Sequence, residues 1–131
     1  MTGAACSSIE GVTLRVQSPA NDEARAIVIS VALELGFSQP LSYCNTISGE
    51  WCAGRPSPYE SWPLVISTDA REGWLRVSIG RRNVGLTKDE KAIIVAAIRE
   101  LEERGIHFSI ERALGVRLPK DLQAPTDREA A

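Results

Sequence analysis

A chain of 131 residues, 44% hydrophobic and 24% charged, has the size and balance of one globular domain, and burial of roughly two-thirds of its unfolded surface is within its reach. A formal net charge of −2 excludes a global field that would recruit it to nucleic acid or an anionic membrane, and no apolar run approaches the roughly 20 residues of a spanning helix. Three cysteines (Cys6, Cys44, Cys52) are too few for a disulfide scaffold, and the opening MTGAACSS has neither the basic nor the apolar region of a secretory signal. The expectation is a cytoplasmic protein with free thiols, Cys44 and Cys52 excepted as discussed below.

In residues 11–17, Val12, Leu14 and Val16 alternate with Thr13, Arg15 and Gln17, the period of a strand with one buried face. Ser18, Pro19 and the carboxylates of Asp22 and Glu23 then form a helix start, and Gly36 provides a left-handed stop from which Phe37 folds back on Val31 or Ala32. Ile27, Ile29, Val31, Leu33 and Leu35 also alternate as a strand would, but the caps at both ends favour the helix. That helix is apolar nearly all round, so it calls for cover from a sheet and a second helix, or from a subunit partner.

Residues 41–53 read as two short strands around a turn at Ser48-Gly49, and residues 54–61, with Pro56 and Pro58, as an exposed loop. A second hairpin joins 62–68 to 74–79 through the polar turn 69–73, with Leu75, Val77 and Ile79 on one face and Trp74, Arg76 and Ser78 on the other.

Thr87 and Glu90 have the spacing of a capping box, which starts a second helix carrying Ile93, Ile94, Ala97, Ile98 and Leu101 on one face. It stops at Gly105, with Ile106 reaching back towards Leu101. Residues 106–115 then read as a short extended piece followed by a helical turn capped by Ser109. The sum is an α/β chain of α+β type. It is a two-layer sandwich of a mostly antiparallel four- to five-stranded sheet with two main helices on one face, in the order β-α-β-β-β-β-α-(short α). It forms a single domain over 1–122, with 123–131 a disordered polar tail.

No catalytic elbow, phosphate loop or dinucleotide fingerprint is present, and no cofactor or metal is expected. A three-residue loop over 47–49 would set Cys44 opposite Cys52 as a redox pair or two metal ligands, whereas cysteine is more often a small buried hydrophobe. His107 is the sole histidine, so a Cys/His-dependent enzyme or metal site is the weakest reading. Arg71, Arg76, Arg81, Arg82 and Lys88 crowd one segment and form a candidate nucleic-acid-binding cluster, against the alternative that they solvate a sheet edge. Tyr43, Trp51, Tyr59, Trp62 and Trp74 gather in the hairpins and their loop with Arg55 and Arg76, the residue types enriched in binding hot spots.

The leading expectation is therefore a small non-catalytic inhibitor or adaptor, of the immunity or phage anti-defence kind, that binds another protein through those aromatics. Nucleic-acid binding through an arginine-rich sheet face is the alternative, and homodimerisation is compatible with the apolar first helix.

Overall fold

The computed structural model describes residues 9–17, 21–40, 51–55, 63–71, 73–82 and 84–123. The elements run β1 (Ile9–Gln17), α1 (Asn21–Glu34), β2 (Gln39–Pro40), β3 (Trp51–Arg55), β4 (Leu64–Arg71), β5 (Trp74–Arg82), α2 (Lys88–Glu103), β6 (Phe108–Leu114) and α3 (Lys120–Gln123). The strands form one sheet in the order β2-β3-β4-β5-β1-β6, antiparallel at every step, with the two-residue β2 at its rim. Helix α1 lies over β4 and β5, α2 lies over β1, and the two helices touch each other. The two-layer α+β sandwich read from the sequence is thus the fold.

Alternation builds the core. Val12, Leu14 and Val16 of β1, Leu64 and Ile66 of β4, and Leu75, Val77 and Ile79 of β5 all point at the helices and are buried. From above they meet Val28, Val31 and Ala32 of α1 and Ile94, Ala97, Ile98 and Leu101 of α2. Both helices end as their sequences foretell. Gly36 and Gly105 take positive φ, Phe37 N–H donates to Ala32 O, and Ile106 N–H donates to Leu101 O, which is the six-residue closure that satisfies stranded helix carbonyls. Phe37 is fully buried behind its stop.

At the other end of α2 the capping box is complete, with Thr87 Oγ1 accepting from Glu90 N–H and Glu90 Oε1 accepting from Thr87 N–H. Arg104, just past the helix, donates to Ser30 and Glu34 of α1 and to Glu100, joining the two helices. Its hydrogen bonds to Glu34, and then to Glu100, hold its pKa above the ordinary arginine value.

Four expectations are corrected. Residues 108–114 are not a helical turn but an edge strand beside β1, and the register slips between Thr13 and Leu14 so that Glu111 is the extra residue of a bulge. The short helix lies further on, at Lys120–Gln123, where Leu122 enters the core after Val116 and Leu118. α1 is buried on one side only, and Leu33 on its outer side is 53% exposed. In the first hairpin, β3 reaches Arg55 and pairs with Gln39–Pro40; the turn foreseen at Ser48-Gly49 and the strand before it lie outside the described residues. So do the loop at 56–61 and the tail beyond Gln123.

Candidate binding face

The face of the sheet turned away from α1 and α2 carries no covering element among the described residues. Its cross-strand rows follow from register. Arg71, Trp74 and Gln17 form one row; Asp69, Arg76, Arg15 and Ser109 the next; Ser67, Ser78, Thr13 and Arg112 the third. Because β5 alternates, burying Leu75 and Val77 on the helix side obliges Trp74 and Arg76 to stand on this open side.

Trp74 stands at one end of the face, in the last row of β1 and β4. The Arg15 guanidinium carbon lies 4.2 Å from its ring centroid and that of Arg76 lies 5.3 Å away, both within the range of cation–π attraction. Ion pairs surround them: Arg76 Nε approaches Glu111 Oε1 at 3.5 Å, and Arg71 approaches Asp69 at 2.5 Å. The face is therefore mixed in charge, with a half-buried aromatic clasped by arginines near one end.

The structure divides the residues that the sequence groups together. Trp51 pairs with buried Thr68, shares the helix side of the sheet and packs against the core, so it stands on the opposite face from Trp74. Arg55 also points to the helix side, where its Nε donates to Leu35 O at 2.9 Å and caps the C-terminus of α1. Tyr43, Tyr59 and Trp62 lie outside the described residues.

The basic cluster is divided too. Arg81 is 1% exposed, because it continues the inward alternation of β5; it forms a bidentate ion pair with Glu90 and donates to Gly85 O, and cannot reach a phosphate. Arg71 and Arg82 stand at opposite ends of the open face, about 26 Å apart by strand rise. Lys88 begins α2, in the other layer.

Cys52 is disulfide-bonded rather than a free thiol, and its partner lies outside the described residues. His107 is exposed beside β6, four strands from the β3 that holds Cys52, so about 19 Å of sheet separates them and no thiol–imidazole dyad forms. Among the described residues no three His, Cys, Asp or Glu side chains gather as a metal site, and no helix is long and apolar enough to cross a membrane.

Sequence reasoning missed Arg15. It stands on the polar side of β1, and the only signal that could have brought it to Trp74 is a pairing between strands some sixty residues apart, which no local pattern encodes. Comparison with known proteins finds no family whose model matches the chain, no curated protein that resembles it and no solved structure that matches its fold.

Proposed function

We propose that this chain is a non-catalytic binding protein, an inhibitor or adaptor, that engages another protein through the open face of its sheet. The observation behind this reading is the Arg15–Trp74–Arg76 stack near one end of a face that no other described element covers. A tryptophan and arginines held in place by one another lose little conformational freedom on binding, which is why such residues dominate interface energetics. The alternation of Asp69, Arg71, Arg76 and Glu111 suits a protein surface of both signs better than a uniform polyanion.

The test is capture from native lysate after nuclease treatment, with the unmodified protein, W74A and, as a control on the exposed side of α2, E102A. A discrete protein retained by the unmodified chain and by E102A but lost by W74A supports the reading. Equal retention by W74A removes the face from it.

A second reading, nucleic-acid binding, keeps one observation in its favour. Arg82 and Arg112 stand on the open face and form no ion pair among the described residues. It requires affinity for a single-stranded oligonucleotide that falls steeply with salt, and R82A and R112A should each flatten that slope.

A further inference from the structure

We infer that the open face holds a subsite for a single carboxylate, with Arg15 as its anchor, and that the protein partner presents an acidic side chain there. This rests on the reading of the face as a protein-binding surface.

Arg15 sits directly opposite Arg76 across β1 and β5, two like charges in adjacent positions, an arrangement that destabilises a sheet unless counter-charges relieve it. Arg76 has such relief, from Asp69 opposite it on β4 and from Glu111 at 3.5 Å. Arg15 has no direct counter-ion: its neighbour on β6 is Ser109, and it makes no ion pair among the described residues. Its Nε is shielded from solvent and has no hydrogen-bond acceptor.

The guanidinium is already fixed against the Trp74 ring, so little rotamer freedom remains to be lost when a ligand arrives. With Nε shut off, the edge left for a ligand is the end-on pair of terminal nitrogens, whose fork matches the two oxygens of a carboxylate. Asp69 and Glu111 in and beside the same row repel a polyanion laid along the face, while a lone carboxylate flanked by neutral groups avoids both.

The experiment is an NMR titration of the full-length protein at fixed ionic strength, following the Trp74 indole N–H and the Arg15 Nε–H. The probes are a capped hexapeptide with one glutamate among neutral residues and a ten-residue oligothymidylate. The expected result is saturable shifts of both signals with the peptide, about tenfold weaker binding in R15Q and partial recovery in R15K. Thermal unfolding of both variants verifies that they fold.

Tighter binding of the oligothymidylate than of the peptide overturns the inference in favour of a phosphate backbone, and equal peptide binding by R15Q overturns it outright. Failure here is separable from failure of the face as a whole. If lysate capture depends on Trp74 yet is indifferent to R15Q, the subsite falls and the face stands; if W74A captures normally, both fall.

Discussion

Arg81 and Glu90, nine positions apart, form a buried bidentate ion pair that fastens the last inward position of β5 to the first turn of α2. Glu90 has two duties, since the same carboxylate accepts the Thr87 N–H of the capping box. Removing one partner leaves the other charged and without its counter-ion in the interior.

Replacing Glu90 by glutamine retains a cap acceptor but strips Arg81 of its counter-charge, and is expected to cost about 3–5 kcal/mol. The double variant R81M/E90Q, which removes both charges, should recover most of that loss. Urea unfolding midpoints at matched slopes measure both; a loss well below about 1 kcal/mol in E90Q would mean that the pair is solvated rather than buried.

Gly11 adopts φ +150, and a Cβ there would overlap the Ile79 carbonyl oxygen on the neighbouring strand. Gly105 also has positive φ, +86, but nothing lies within 4 Å of its added Cβ. G105A should therefore cost only the left-handed strain, about 1–2 kcal/mol, and G11A distinctly more, roughly 3 kcal/mol or above. Equal losses in chemical denaturation would contradict the close approach of β1 to β5.

Leu122 is fully buried although it belongs to a four-residue helix near the end of the chain. L122A should lower stability by about 2–5 kcal/mol, as for any well-packed core leucine, and a near-neutral effect would place α3 outside the cooperative unit.

The disulfide at Cys52 ties strand β3, one step from the rim of the sheet. Reduction is expected to destabilise the fold by about 2–4 kcal/mol, read as a lower melting temperature with reductant than without. The Trp74 indole signal, on β5 and the other side of the sheet from Trp51, should stay in place in the reduced protein if the open face is independent of that tie.

The parts of the fold that could be read in advance are those specified within a few residues. The Thr87–Glu90 box, the stops at Gly36 and Gly105, and the alternation in β1 and β5 are each complete in a short window. β6 escaped notice because its bulge breaks the period of two: Ile110 faces the helices, then Glu111 and Arg112 follow without a clean alternation. Arg81 escaped because a charge at an inward position looks like the end of a strand until a buried acid is found for it nine residues later.

The open face was half legible. Trp74 and Arg76 share a strand, so their common side is fixed by parity alone. Grouping them with Trp51 and Arg55 failed because the relative faces of two strands depend on register, which the sequence states nowhere. The same gap hid Arg15, whose approach to Trp74 exists only once β1 has inserted beside β5.

That insertion also orders events in time. Strand β1 comes first in the chain but lies between β5 and β6, so its apolar residues emerge early and wait for partners some sixty to a hundred residues downstream. Hairpin β4–β5 closes locally, whereas docking β1 demands a long loop closure before any contact rewards it. The nascent chain thus carries an unpaired, half-apolar ribbon until β5 has emerged, and the rate at which β5 captures it sets how long the protein remains vulnerable to association with its neighbours.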